Sequence, residues 1–272
     1  MSGAAALRWI PPLHLSGCWQ MAIDEWLLDG AIASQAALEV DPPAAVLRFY
    51  TWSAPTLSLG FHQHGLEPRW LALARRGELQ LVRRPSGGRA VLHAADLTYA
   101  LVWPQAPARR REAYRAACAW LQEGFADLGL PLRFGAEPAD PRHPSCFAAS
   151  TAADLVQSGG GKRIGSAQLW RRGVLLQHGS IQLRPDGALW RHVLDEDAPR
   201  LEPLSLSPEE LIGVLQASAR RHLPVAAADW TPQALSPREW TAIAARRHRY
   251  RVEPVGPAAD STGVRVDPPP PV

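Results

Sequence analysis

The 272-residue chain is nearly devoid of lysine: of its 29 lysines and arginines, all but Lys162 are arginine. Cysteine is scarce too, with three residues, Cys18, Cys118 and Cys146, widely spaced and odd in number. That count fits neither a disulfide framework nor a thiolate metal site. Long apolar runs are missing. The opening run is too short for a signal peptide and no later one approaches a membrane span. The expected location is therefore the reducing cytoplasm. Excess charge is lacking as well: a net charge of +3 and a pI near 9.0 suit acidic protein partners but are too weak for nucleic acid. No internal repeat is present.

What remains is an ordinary globular composition, 46% hydrophobic and 20% charged, with ample length to bury a core. The stretch 144–183 concentrates reactive groups: Cys146, Lys162, His178 and two glycine-flexed turns between strand-like runs. Arginine stays protonated at any usable pH, whereas a desolvated lysine gives up its proton. A chain that uses arginine for every other positive charge keeps one ammonium here. The bland alternative is a solvated turn lysine spared by compositional drift.

Periodicity predicts helices over 18–33, 67–76 and 109–128, and strands over 46–50, 56–59, 79–83, 90–93, 97–103 and 154–157. Residues 162–170 and 173–184 read as a hairpin turning at Arg171-Arg172-Gly173. Two further helices are announced by Ser207-Pro208-Glu209-Glu210 and Ser236-Pro237-Arg238-Glu239, each with an N-cap serine, a first-turn proline and a glutamate at the third position. The segment 131–150 reads as a loop, and the proline-rich end from Pro254 as frayed. Cys118 lies on the apolar stripe of the 109–128 helix and reads as a core thiol. Strands in the middle with helices around them, without βαβ alternation, predict an α+β fold with a mixed or antiparallel sheet. One catalytic domain is expected over 1–250, with 251–272 as a tail.

A glycine turn, Arg84-Pro85-Ser86-Gly87-Gly88-Arg89, interrupts the strands at 79–93. Adjacent glycines let backbone approach a ligand; the bland reading is a hairpin turn with solvated arginines. It matches neither a Walker loop nor a dinucleotide fingerprint. Four linked motifs run in order: Arg-Arg-Pro-Ser-Gly-Gly-Arg-Ala-Val-Leu-His at 83–93, Asp-Leu-Thr-Tyr at 96–99, Gly-Lys-Arg-Ile-Gly-Ser-Ala-Gln at 161–168 and Leu-Gln-His-Gly-Ser at 176–180. Together with 21–25 and 48–60 they resemble the biotin/lipoate protein ligase superfamily over roughly residues 18–250. The Gly87-Gly88-Arg89 turn and Ser145-Cys146-Phe147, eight residues before Asp154-Leu155-Val156, are similar to its cysteine-dependent octanoyltransferases.

The resemblance implies a lipoate-ligase-like fold and an acyl transfer that needs no cofactor, metal or nucleotide. Cys146 and Lys162 are the implied catalytic pair: the thiol takes octanoyl from octanoyl-acyl carrier protein, and the lysine accepts the thiol proton or stabilises the thiolate. Acceptors are the lipoyl domains of 2-oxoacid dehydrogenases and the glycine cleavage H protein, with the enzyme a monomer. Arg84, Gly87, Gly88, Arg89, His93, Gly165, Ser166, Ala167, His178 and Gly179 are the implied substrate-binding residues. Backbone amides at Gly165 and Ser166 are candidates for an oxyanion site. Arg83, Arg84 and Arg89 either meet acidic partner residues or solvate the turn, and Asp154 reads equally as a strand-end charge. Three competing readings are an ATP-dependent lipoate ligase, an amidotransferase between lipoyl-bearing proteins, and a non-catalytic lipoyl-domain binder.

Overall fold

The structure, a computed structural model, describes residues 7–37, 44–136, 154–225 and 230–253. The first half runs β1 (Leu7–Leu15), α1 (Gly17–Ala36), β2 (Ala45–Trp52), β3 (Thr56–Leu59), α2 (Pro68–Arg75), β4 (Gln80–Arg83), β5 (Val91–His93) and β6 (Asp96–Trp103). The second half runs α3 (Arg110–Asp127), β7 (Arg133–Phe134), β8 (Asp154–Val156), β9 (Lys162–Arg171), β10 (Val174–Gln182), α4 (Gly187–Leu194), α5 (Pro208–His222), β11 (Trp230–Pro232) and α6 (Pro237–Arg246).

Among the described residues, eight strands form a mixed sheet in the order β11-β1-β2-β6-β10-β9-β8-β7, and β4-β3-β5 form a smaller one. This is the α+β architecture expected. The central strands β6 and β10 are buried along their whole length, so they read as near-continuous apolar runs with a few polar interruptions. The β9–β10 hairpin closes through Arg172 at φ 49° and Gly173 at φ 83°, the paired left-handed residues of a tight turn that follows strand twist.

Two cores flank the large sheet. On one face α3 and α5 cover Phe49, Tyr99, Leu101 and Ile164. Gly124 on α3 permits this approach, since a Cβ there would press on Leu215 and Ser218 of α5. On the other face α1 and α6 cover Ile10, Tyr50, Ala100 and Leu176. Both expected capping boxes form, at Ser207/Glu210 and Ser236/Glu239, satisfying amides that the first helical turn leaves unpaired. Among the described residues no helix is long and apolar enough to cross a membrane.

The hairpin alternative for the glycine turn falls, and one expectation changes. The glycine turn does not close a hairpin, because β4 and β5 both pair with β3, which lies between them, β4 in parallel and β5 antiparallel. The turn instead crosses over the end of β3. Within the segment expected as loop, β7 pairs with β8 through Arg133↔Val156 and Phe134↔Leu155, extending the sheet by one short edge strand. The tail from Pro254 lies outside the described residues.

Candidate active site

A cleft opens between the α1-side face of the large sheet and the small sheet, lined by residues of both, the concave setting usual for a small-molecule site. Its floor follows from strand register. Gly165, Ser180, Thr98 and Tyr50 stand opposite one another across β9, β10, β6 and β2, and all four line the cleft. The parallel row Ala167, His178 and Ala100 lies two residues away on the same face. Residues between the rows point the other way. Ser166, Gly179, Tyr99 and Phe49 form the intervening row, and the Ser166 hydroxyl bonds the Tyr99 hydroxyl at 2.9 Å on the α3 side. Ser166 and Gly179 therefore meet the cleft through backbone. A Cβ on Gly179 would crowd Ser166 and Tyr99.

The opposite wall is built on the glycine turn. Arg84 is buried and donates to the carbonyls of Ser58 at 2.7 Å, Gly87 at 2.8 Å and Arg89 at 2.7 Å. Arg83 donates to the carbonyls of Gly60 and Gln63 at 2.9 and 2.6 Å. Both side chains thus staple backbone and do not face a partner protein, which corrects the surface role considered for them. Gly88 adopts φ 90°, a conformation open to glycine, and its carbonyl occupies the space a Cβ on Gly60 would need.

Two histidines join these walls. His93 directs Nδ1 to Asp96 at 2.8 Å and Nε2 to the Ser58 hydroxyl at 2.9 Å. His178 directs Nδ1 to Asp24 at 2.9 Å and Nε2 to the Ser86 hydroxyl at 2.5 Å. A carboxylate only accepts, so each Nδ1 carries a proton and a neutral ring accepts at Nε2. Trp52 stacks on His93 with centroids 3.9 Å apart and donates its indole N–H to Thr98 at 2.9 Å. The Asp96 carboxylate also accepts from Ser180 at 2.6 Å. Ser58, His93, Thr98 and Ser180 at this end are therefore hydrogen-bonded within one group, which lowers the cost of placing hydrocarbon against them, while Oδ1 of Asp96 behind them is buried without a hydrogen-bond partner.

Lys162 begins β9, three residues before Gly165. Its ammonium is buried and faces the Asp154 carboxylate at 2.8 Å, both side chains 4% exposed or less. The register shift between Leu155 and Val156 on β8 brings the two together. Lys162 is thus no solvated turn residue, and Asp154 is no bare strand-end charge. Beside them Tyr114 of α3 is hydrogen-bonded with Ser166. Burial pushes the Cys118 thiol up to about 12, as a core thiol requires.

Of the residues implied by sequence, Arg84, Gly88, His93, Gly165, Ser166, Ala167, His178 and Gly179 line the cleft. Gly87, Arg89 and Lys162 stand outside its lining, and Cys146 lies outside the described residues. Gly165 is paired on both edges, with Asp154 and Ser180, so its amide runs along the sheet. That argues against the oxyanion role considered for it. Met21, Tyr50, Trp52, Ser58, Thr98 and Ser180 also line the cleft and were not anticipated. The available signal was the run of polar residues within strands otherwise apolar enough to be central.

Residues 17–214 match the family model for the lipoyl protein ligase A/B catalytic domain. The chain is 37% identical to octanoyltransferase LipM of Halalkalibacterium halodurans over 71% of this chain and 68% of that protein. It is 39% identical to octanoyltransferase LipM of Symbiobacterium thermophilum over 72% and 68%. Among solved structures, the bipartite lipoate protein ligase of Thermoplasma acidophilum superposes with a TM-score of 0.67 at 17% identity, covering 90% of this chain and 92% of that one. The last likeness concerns fold.

Proposed function

The chain belongs to the lipoyl protein ligase A/B catalytic-domain family, and on that premise we propose that it is an octanoyltransferase working through a thioester on Cys146. The donor is octanoyl-acyl carrier protein, and the acceptor is the lysine of a lipoyl domain. The observation that carries the reading is the buried Lys162–Asp154 pair, whose lysine begins the strand that also supplies Gly165 and Ala167 to the cleft. The chain's single lysine is held inside as an ammonium, where it stabilises an anion.

In the first half-reaction the Cys146 thiolate attacks the thioester carbonyl and the carrier thiolate departs. Lys162 stabilises the attacking thiolate and protonates the leaving one, becoming a neutral amine. In the second, the neutral amine of the acceptor lysine attacks the acyl-enzyme and passes its proton to Lys162. An amide, the free Cys146 thiolate and the Lys162 ammonium result, so protons balance over the cycle. Asp154 acts as the fixed counter-charge that orients the ammonium. Of the two roles open to Lys162 from sequence, the ion pair favours the cationic one in the resting enzyme.

The cleft receives the acyl chain. Strands lie about 4.8 Å apart, so the row from Gly165 to Tyr50 spans about 14 Å across the sheet. Its members between these ends, Ser180 and Thr98, are small, and Tyr50 and Trp52 form its far end. Burying six methylenes contributes roughly 5 kcal/mol at about 0.8 each, which selects octanoyl over short acids. The test is transfer of octanoyl from carrier protein to a lipoyl domain with ATP absent. Product formed without ATP supports the reading, and an absolute ATP requirement overturns it in favour of a ligase.

A further inference from the structure

A second pocket lies at the N-terminus of α1, among Ser16, Trp19, Arg247, His248, Arg251 and Glu253, and none of these residues lines the cleft. The first turn of a helix leaves backbone N–H groups unpaired and is the positive end of the helix dipole. In α4, α5 and α6 the N-cap side chains Asp186, Ser207 and Ser236 accept hydrogen bonds from those amides. Ser16, the N-cap of the 20-residue α1, makes no such bond, and the first turn of α1 carries no acidic residue. The Gly17 amide has the Gln80 carboxamide oxygen at a long 3.4 Å.

Two polar groups of the pocket wall are enclosed and left unmet. The Ser16 hydroxyl, on a residue 7% exposed, makes no hydrogen bond among the described residues. The indole Nε1 of Trp19, on a residue 2% exposed, is buried with no partner. A buried donor left unpaired is costly, and acceptor oxygens brought from outside would remove that cost. The facing wall is cationic. Arg247 follows α6 in the turn Arg247–Tyr250, and its guanidinium lies over the Trp19 ring, 4.7 Å from the centroid. Arg251 is carried in by its bridge to Val82 and by the bond from the Val252 amide to the Leu81 carbonyl at 3.1 Å. Neither Arg251 nor His248 pairs with a carboxylate among the described residues. Against the two arginines stands one lining carboxylate, the exposed Glu253.

We propose that this pocket binds a phosphate-type oxyanion, either inorganic phosphate or a small phosphate monoester. The start of a long helix favours the negative charge, and guanidinium groups match phosphate oxygens; Ser16 and Trp19 supply the neutral donors. The site stands behind the cleft wall. A Cβ on Gly17 would lie 3.1 Å from the Trp52 ring, and Met21 follows one helical turn later; Trp52 and Met21 both line the cleft. An anion at the start of α1 therefore bears on a helix that borders the cleft without entering it.

Isothermal titration calorimetry on the full chain, with inorganic phosphate and separately with glycerol phosphate at an ionic strength fixed by sodium chloride, tests this. Wild type is compared with Arg251→Gln, Ser16→Ala and Glu253→Gln, with melting temperatures in parallel. Phosphate also stabilises proteins by exclusion from their surfaces, so differences between variants decide. The expected result is saturable binding by wild type, about tenfold weaker in Arg251→Gln, weakened to a lesser degree in Ser16→Ala and tighter in Glu253→Gln. Tighter binding of one probe than the other tells free phosphate from a monoester as the preferred form. No saturable binding of either probe by wild type, or equal affinity in wild type, Arg251→Gln and Glu253→Gln, would overturn it. Glu253→Gln, which removes a charge and no donor, keeps the test decisive even if Arg251→Gln melts below wild type.

Discussion

The two faces of the large sheet are built from alternate residues of the same strands and are put to opposite uses. On the α3 side, Phe49 and Tyr99 each pack edge-to-face on Trp120 within a hydrocarbon core. On the α1 side, Tyr50, Thr98, Ser180 and Gly165 leave a trough, with His93 and His178 held by buried carboxylates at its walls. A one-residue step along β2, β6 or β10 moves from stability to site. Substitutions on the first face should change folding at little cost to chemistry, and those around the second the reverse.

The sharpest break is expected at Lys162. Lys162→Arg keeps the charge but replaces a proton donor and acceptor with a permanently charged fork; transfer should fall by roughly 10²–10⁴-fold, read in the octanoyl-transfer assay, with the circular dichroism spectrum retained. Near wild-type transfer would return Lys162 to a compositional accident. Next is Trp120→Ala on the opposite face, fully buried against Phe49 and Tyr99. It should cost about 3–5 kcal/mol in denaturant unfolding while transfer by the folded fraction stays within a few-fold. Gly179→Ala tests the boundary: its Cβ would crowd Ser166 and Tyr99 on the α3 side, so overpacking of about 1–3 kcal/mol is expected. A larger loss of transfer than of stability there would blur the division of faces.

The smallest effect is titrational. Burial raises the Cys118 thiol to about 12 and the phenols of Tyr50, Tyr99 and Tyr114 above their ordinary value. Groups whose pKa is raised on folding stabilise the native state below their unfolded values and lose that contribution as pH climbs. Stability should therefore decline from about pH 9 upward, measured by thermal melts. Cys118 should resist alkylation at pH 8 until the protein unfolds. Labelling of Cys118 in the native state would show the α3 face to be looser than its packing.

Much of this division was legible in sequence where local signals are strong. The hairpin at 162–184, both capping boxes and the 109–128 helix rest on turn chemistry, caps and periodicity, which neighbours in sequence determine. The path of the glycine turn was not legible, because β3 separates β4 from β5 by a tertiary choice of partner that no local residue encodes. Arg84 looked like a surface cation and is a buried staple, since only the fold brings three carbonyls within its reach. Ser58, Thr98 and Ser180 looked like ordinary strand residues; their meaning lies in Asp96 and His93, with which they form one hydrogen-bonded group. Asp154 gained its role from a register shift that alternation does not foretell.

The central proposal is that octanoyl passes through a thioester on Cys146, with Lys162 as the acid–base partner. Intact-mass spectrometry of the enzyme mixed with octanoyl-carrier protein, without ATP or acceptor, tests it most directly. The account predicts one octanoyl adduct, mapped by peptide analysis to Cys146, lost in Cys146→Ala and discharged when a lipoyl domain is added. Absence of any adduct on an enzyme that transfers octanoyl, or an equally labile adduct persisting in Cys146→Ala, would contradict it.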